Sequence, residues 1–426
     1  MSQKNEDFFK EQKPWSKTKN DLLKNYLKPY FSKILHTKKK ICYIDCFAGK
    51  GVFEDGSCGS PLLALDTIYD SINRAQINSI PDIECYFIEL NHAEDLTKNL
   101  AKYKNFHSNV NIYIIDGAFE TNILSILKKK QDYNIFLYID PYGIKALDSN
   151  IFIEISRLRL NSIEFLINFN SFGFFREACR VSSIDVVEDK KVNINKELEE
   201  YDMSKNIQVE ELNKIAFGDY WIKTIKDYNK HKNASDAEED IINNYKLCIA
   251  KYYKYIIEMP IKLNRNYNTK YRLVHITNHQ DGCVLMAENM LKRSSEHKKS
   301  VQNKGQLNIE DYFSMYDDVV VCSTNNDEVI YSLDNKEIQS IIIENTICDL
   351  LNNKRYYLTE LHATLYSNLG VTNLKEKVKN ILIKLKNDGT IQINRTPKYT
   401  KSGKPTEFWE ENRNNKILLE INNENN

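Results

Sequence analysis

The sequence predicts an α/β fold with a mostly parallel sheet covered by helices on both faces. Short apolar runs separated by helical segments are typical of strands that are buried on both sides. Four of the runs are followed directly by an acidic residue. Because ligands of open α/β sheets bind beyond the carboxyl ends of the strands, this pattern predicts a ligand site at one edge. The runs are Ile41–Ile44, Ile83–Ile88, Ile112–Ile115, Ile135–Ile139 and Ile163–Phe169, and the acids are Asp45, Glu89, Asp116 and Asp140.

Length and composition indicate a globular protein with two or three domains. The 426 residues exceed what one compact core holds, and 42% are hydrophobic and 28% charged. Lysine plus arginine equals aspartate plus glutamate at 59 each, so any basic surface must be local. The nine cysteines include no C-x-x-C pair. We therefore expect reduced cysteines, no metal site, no membrane span and a cytoplasmic location.

The elements follow in order along the chain. Residues 1–40 predict a helical segment with Leu22, Leu23, Tyr26, Leu27 and Tyr30 on one stripe. The five strands come next. Residues 171–248 are helical and charged, and we interpret them as an insertion. The stretches "YYKYIIEMPIKL" and "KYRLVHITNH" then predict a terminal antiparallel hairpin. The sheet domain is predicted to span 41–292, followed by a polar linker or arm over 293–335.

Residues 336–426 predict an independent C-terminal domain. A helix over 336–351 is followed by "LTELHATLYSN" and "NLKEKVKNILIKLKNDG", and then by a strand, a basic tip and a strand in "TIQINRTPKYTKSGKPTEFWE". Three helices before a hairpin is the winged-helix order. Basic residues concentrate here in an otherwise neutral chain, which favours contact with nucleic acid. A solubilising surface or a protein-docking module is the alternative. The candidate nucleic-acid contacts are Lys375, Lys379, Arg395 and Lys398.

The glycine-rich loop in "CYIDCFAGKGVF" follows the first strand. A dinucleotide site needs a third glycine where Glu54 stands, and a phosphate-binding P-loop needs a hydroxyl residue directly after the lysine. The remaining pattern, D-x-F-x-G-x-G, contains Asp45, Phe47, Gly49 and Gly51. Glycines allow close backbone approach and a carboxylate suits a cationic ligand, so we predict S-adenosylmethionine as cofactor. A glycine turn with a purely structural role is the alternative.

Two further strand ends complete the predicted cofactor site. Glu89 is expected to accept hydrogen bonds from the ribose hydroxyls, and Asp116 from the adenine amino group. The alternatives are a solvated strand-end glutamate and an N-cap of the following helix.

The segment "YIDPYG" contains the predicted catalytic residues Asp140, Pro141 and Tyr142, followed by Gly143. It resembles the D-P-P-[YF] box of methyltransferases that act on exocyclic amines, and more closely the D-P-F-G box of tRNA guanine-N2 dimethyltransferases. An aryl amine is a poor nucleophile, and a carboxylate that accepts its N–H groups frees the lone pair for attack. Proline stiffens the turn, and the aromatic ring stacks on the presented base. A strand-to-turn segment without chemistry is the alternative.

The chain resembles the three-Cys-motif partner protein family, TcmP. The matching segments are "WSKTKNDLLKNYL", "YIDCFAGKGVFEDGSCGSPLLAL", "FIELN", "YIDPYGIKAL", "LINFNSFGFFR" and "YRLVHITNHQDGCVLM", between residues 15 and about 292. The resemblance implies a Rossmann-like class I methyltransferase fold with a seven-stranded sheet. It also implies a radical-SAM-like companion protein that carries the three cysteines. Lys19 and Arg176 lie in matching segments, and we predict phosphate contacts for them, with an ordinary surface charge as the alternative.

Two functions follow as hypotheses. The first is an S-adenosylmethionine-dependent methyltransferase that acts on an exocyclic amine of a base in DNA or RNA. The second is a methyltransferase-like binding or regulatory partner of the companion protein, without methyl transfer of its own.

Overall fold

The computed structural model describes residues 14–186, 207–262, 269–302 and 336–422. The chain divides into two compact units. The first contains residues 1–278 and 292–306, and the second contains 279–291 and 307–426.

The first unit contains a seven-stranded sheet in the order β3-β2-β1-β4-β5-β7-β6. Strands β1 to β5 are parallel, whereas β7 runs antiparallel to both of its neighbours. The predicted class I methyltransferase fold, with its mostly parallel sheet and antiparallel hairpin, is confirmed. The strands are β1 Ile41–Asp45, β2 Ile83–Glu89, β3 Val110–Asp116, β4 Asn134–Ile139, β5 Ser162–Phe169, β6 Tyr255–Lys262 and β7 Thr269–Thr277.

Helices connect these strands and cover the sheet. Every residue of β1 and β4 is buried, as expected of central strands covered on both faces. Edge strand β3 instead alternates between exposed and half-buried positions over most of its length. The helices are α1 Pro14–Ile34, α2 Ser60–Arg74, α3 Ala93–Leu100, α4 Phe119–Leu127, α5 Ser149–Ser156, α6 Ser171–Val181, α7 Val209–Ile215, α8 Trp221–His231 and α9 Ala234–Ile249.

The strand register aligns the carboxyl ends of the parallel strands at one edge. Asp45 lies opposite Phe87 on β2 and Tyr138 on β4, and Glu89 lies opposite Asp116. The residues that follow these strands therefore meet above the same edge.

Helix α1 packs over β4 and β5 through its apolar stripe. Leu22, Leu23, Tyr26 and Leu27 are fully buried, which confirms the predicted stripe. The Tyr26 ring lies 5.6 Å from that of Phe136 on β4, measured between centroids. This packing brings the first turns of α1 to the carboxyl edge of the sheet.

Helices α6 to α9 occupy the predicted helical insertion, of which residues 187–206 lie outside the described residues. Buried ion pairs hold α9 to the hairpin. The Arg272 guanidinium on β7 donates to Glu238 on α9, at 2.9 and 2.7 Å, and to Glu258 on β6 at 2.9 Å.

The boundary between the units differs from the predicted one. Helix α10, Gln280–Gln302, continues through residues 293–302, which were predicted as a polar linker. The rest of that linker, 303–335, lies outside the described residues. Residues 279–291 belong to the second unit because Cys283, Met286, Ala287 and Met290 form a buried helical stripe there.

The described part of the second unit contains three further helices and a small antiparallel sheet in the order β8-β10-β9. The second hairpin strand begins at Lys416, later than predicted. Pro397 and Pro405 lack the N–H groups that a strand needs, and a separate turn is closed by a bridge between Tyr399 and Pro405. The winged-helix assignment stays a prediction. The elements are α11 Lys336–Asn353, β8 Tyr356–Tyr357, α12 Leu358–Leu369, α13 Leu374–Asn387, β9 Ile391–Thr396 and β10 Lys416–Ile421.

Eight of the nine cysteines lie in the described part of the chain, and all eight are free thiols, while Cys322 lies outside it. Among the helices described, none has the length and apolar character that crossing a bilayer requires.

Candidate cofactor and catalytic site

Two adjacent cavities lie at the carboxyl edge of the sheet, in the first unit. The larger has a volume of about 370 Å³ and the smaller about 70 Å³. The larger volume lies within the range of small-molecule sites. Both cavities are lined by Phe47, Pro141, Tyr142 and Asn170. The wall between them is therefore formed by residues 140–142, called here the D-P-Y segment.

The glycine-rich loop lines the smaller cavity. Gly49 and Gly51 have φ angles of 62° and 81°, in the left-handed region that favours glycine. The Gly51 carbonyl accepts a hydrogen bond from the Gly59 N–H at 2.8 Å, which closes the loop at the start of α2. A Cβ atom on Gly59 would lie 3.0 Å from that carbonyl oxygen. The loop therefore requires glycine at these positions for its backbone shape.

Glu89 ties the loop to the turn that follows β2. Its Oε2 accepts from the Gly49 N–H at 2.8 Å, and its Oε1 accepts from the N–H groups of Asn91 and His92 at 2.9 and 3.2 Å. The side chain is buried and lines the larger cavity. Since a carboxylate has about four lone-pair sites, one stays available for a ligand hydroxyl.

Asp45 lies beneath the loop and lines neither cavity. Its Oδ1 accepts from the Phe47 N–H at 3.4 Å, and its Oδ2 is buried without a hydrogen-bond partner among the described residues. Burial raises the pKa of Asp45 to about 7. The nearby charges of Asp140 and Glu89 add to the shift, and the Ser60 hydroxyl and the Phe47 N–H oppose it.

Replacing Asp45 with Asn is expected to reduce the loss of stability at alkaline pH. The carboxyl has a raised pKa in the folded state, so its contribution is fully present below the unfolded pKa of about 4 and is lost as pH rises through 7. Between pH 6 and pH 8.5 the parent should lose about 1 kcal/mol more than the variant, or about 2–4 °C in Tm. Thermal unfolding across this pH range measures the difference. Curves of Tm against pH that run parallel for parent and variant would contradict the raised pKa of Asp45.

Asp116 is exposed at the end of β3 and lines neither cavity. It is not the N-cap of α4 either, because that position is Ala118. The residues after it, Gly117 to Glu120, line the larger cavity instead. The Phe119 ring lies 5.5 Å from the Phe47 ring between centroids, so the two form an apolar wall. Sequence reasoning missed Phe119, although an aromatic residue just past a strand end was a usable signal.

Asp140 is the centre of a hydrogen-bonded cluster. Lys19 Nζ donates to Oδ1 at 2.9 Å and to Oδ2 at 2.7 Å. Asn168 Nδ2 donates to Oδ1 at 2.7 Å, and the Tyr138 hydroxyl to Oδ2 at 3.3 Å. Asn168 also has a buried Oδ1 without a partner among the described residues. Asn168 was not among the predicted site residues, although it lies next to the carboxyl end of β5, as Asp140 directly follows β4.

Lys19 was predicted as a phosphate contact, and the structure places it differently. It lines the smaller cavity but is only 5% exposed, with its ammonium bound by Asp140. The packing of α1 over β4 and β5 buries this position. Arg176 is partly exposed on α6 and lines neither cavity. Tyr142 is 37% exposed at the mouth of the cleft.

Three of the four candidate nucleic-acid contacts in the second unit have partners there. Lys375 pairs with Glu288, and the Arg395 guanidinium lies 5.0 Å from the centroid of the Trp409 ring. Lys379 lies over the same ring at 5.9 Å. Lys398 is exposed and makes no ion pair with a described residue.

No protein-family model and no curated protein sequence matches the chain. Among solved structures, the methyltransferase domain of bacterial CtHen1-C is similar at 10% identity and a TM-score of 0.28, over 60% of this chain and 98% of that one. Loganic acid methyltransferase with SAH is similar at 9% identity and a TM-score of 0.26, over 63% of this chain and 95% of that one. PKMT2 from Rickettsia typhi is similar at 11% identity and a TM-score of 0.28, over 86% of this chain and 70% of that one. At such low scores, the methyltransferase-like fold of this chain rests on its own strand order and direction.

Proposed function

We propose that this chain is an S-adenosylmethionine-dependent methyltransferase that acts on an exocyclic amine of a nucleic-acid base. One observation carries the proposal. The D-P-Y segment separates a cavity lined by Glu89 and Phe119 from one lined by the glycine loop and Asp140. A cofactor site and an acceptor site then share one wall.

The residues of the larger cavity and the loop fit the cofactor. The free lone pair of Glu89 suits a ribose hydroxyl, and the rings of Phe47 and Phe119 suit a purine. The left-handed glycines of the loop, in the smaller cavity, would let the methionine part of the cofactor approach the backbone on the side of Asp140. When bound, the cofactor supplies an electrophilic methyl group.

Asp140 and Tyr142 would hold the acceptor. Asp140 is oriented by three neighbours, and an acceptor N–H group that displaces one of them would localise the lone pair of an aryl amine on its nitrogen. Tyr142 is exposed enough to stack on a base that has been turned out of its helix. Lys50 also lines the smaller cavity and adds a positive charge suited to a phosphate-bearing acceptor.

The second function is a methyltransferase-like partner of a radical-SAM-like three-Cys-motif protein. The engagement of both Asp140 oxygens by Lys19, Asn168 and Tyr138 favours it, because no acceptor position is vacant. In this function, the pocket binds the cofactor without transfer. The basic residues of the C-terminal unit, among them the exposed Lys398, would contact either nucleic acid or the companion.

Calorimetry with S-adenosylmethionine, followed by a tritiated-methyl assay on mixed DNA and RNA, tests the proposal. Cofactor binding together with label in nucleic acid is expected. Cofactor binding without label in either polymer, with a stable complex to the companion, would favour the second function. Absence of cofactor binding would overturn the proposed function.

A further inference from the structure

Lys19 places a buried positive charge at the proposed acceptor site. Its ammonium bridges both carboxylate oxygens of Asp140 at 2.9 and 2.7 Å, and it lies 5.6 Å from the centroid of the Tyr271 ring. The residue is 5% exposed. Solvent therefore screens this charge poorly, and its effect on any group that approaches Asp140 is strong.

An approaching donor must displace one of the present partners of Asp140. The four lone-pair sites of the carboxylate are used by Lys19 twice, by Asn168 once and by the Tyr138 hydroxyl once. Separating Lys19 would leave an unpaired buried ammonium, which costs several times more than losing a neutral hydrogen bond. The Tyr138 contact, at 3.3 Å, is the longest and involves no cation. A substrate N–H therefore replaces Tyr138, while Lys19 stays.

The acceptor nitrogen then shares Oδ2 with the ammonium of Lys19. Two donors on one carboxylate oxygen lie about 4–5 Å apart. A neutral amine tolerates a positive charge at this distance. For a substrate ammonium, the Lys19 charge offsets much of the attraction of Asp140, so little remains to compensate the loss of its hydration. At an effective dielectric constant of 20, the repulsion between two cations there disfavours the second by on the order of 100-fold.

Resting on the proposed function, we infer that Lys19 is a positioning residue that restricts the acceptor to neutral amines and excludes ammonium groups such as lysine side chains. An exocyclic base amine meets this condition because its lone pair is delocalised and it stays uncharged at neutral pH. A bound sulfonium cofactor would supply the methyl group to the amine lone pair and keep the bonding electron pair as a neutral thioether, and the amine would lose one proton to water.

The test compares Lys19→Met, which removes the charge, with Lys19→Arg, which keeps it. The exposed Lys24→Met on the same helix is the matched control. Methyl transfer is measured to mixed nucleic acid and to a lysine-rich peptide, and binding of n-butylammonium is measured by calorimetry. We expect Lys19→Met to lower the ratio of methyl transfer to nucleic acid over methyl transfer to the peptide by on the order of 100-fold. The same variant should bind n-butylammonium. Lys19→Arg should keep the parental ratio because it keeps the charge, and Lys24→Met should behave as the parent.

The inference is overturned if Lys19→Met keeps both the transfer ratio and the n-butylammonium affinity within about twofold of the parent. Should Lys19→Met not fold, Lys19→Gln keeps one hydrogen bond to Asp140 and serves in the same two assays, with the same outcomes. The binding assay separates this inference from the proposed function. Loss of transfer in every variant, parent included, refutes the function, while n-butylammonium binding still decides the role of Lys19.

Discussion

Replacing Asp140 with Ala is expected to lower methyl transfer by about 10²–10⁴-fold while cofactor affinity changes little. Asp140 lines the smaller cavity only, whereas Glu89 and Phe119 line the larger one. The variant loses the group that orients the acceptor amine and keeps the groups that would hold the cofactor. Tritiated-methyl transfer and calorimetry with S-adenosylmethionine measure the two effects separately.

The same substitution also affects stability, so it needs a control. Removing Asp140 leaves the buried Lys19 ammonium without its carboxylate, which costs about 3–5 kcal/mol. The double variant Asp140→Ala with Lys19→Met removes both charges and should recover much of the lost Tm. If the double variant is as stable as the parent and still transfers methyl groups at the parental rate, Asp140 has no role in the reaction.

Replacing Glu89 with Gln is expected to weaken cofactor binding by about 10–100-fold. Both oxygens of Glu89 accept from backbone N–H groups, Oε2 from Gly49 and Oε1 from Asn91 and His92. Glutamine has one oxygen, so its NH₂ group must face a backbone donor on one side. We expect the free energy of unfolding to fall by about 1–3 kcal/mol as well. Calorimetry and thermal unfolding measure the two effects.

Asp116→Asn is the matched control for Glu89→Gln. Asp116 also ends a parallel strand and lies opposite Glu89 in the sheet, but it is exposed and lines neither cavity. We expect its cofactor affinity and Tm to equal those of the parent. Equal effects of the two substitutions would show that position at a strand end, rather than the hydrogen bonds of Glu89, governs the site.

The sequence alone determined the sheet, the edge at which the site lies and the loop that shapes it. Buried parallel strands appear as continuous apolar runs, and side chains that follow them must meet at one edge, so Glu89 and Asp140 were identified from local pattern. Gly49 and Gly51 were identified from the spacing of the loop motif, and their φ angles in the structure favour glycine. Each of these features depends on a few neighbouring residues.

Only the tertiary structure decided which of these groups face a ligand and which charges pair. Asp45 and Asp116 are the last residues of their strands, as Glu89 is. Asp45 nevertheless lies beneath the loop and Asp116 faces solvent, because the burial of a side chain depends on what packs around its strand. Lys19 and Asp140 are 121 positions apart, and no local pattern links them. Their contact exists because α1 packs over β4 and β5, and that placement depends on the whole core at once.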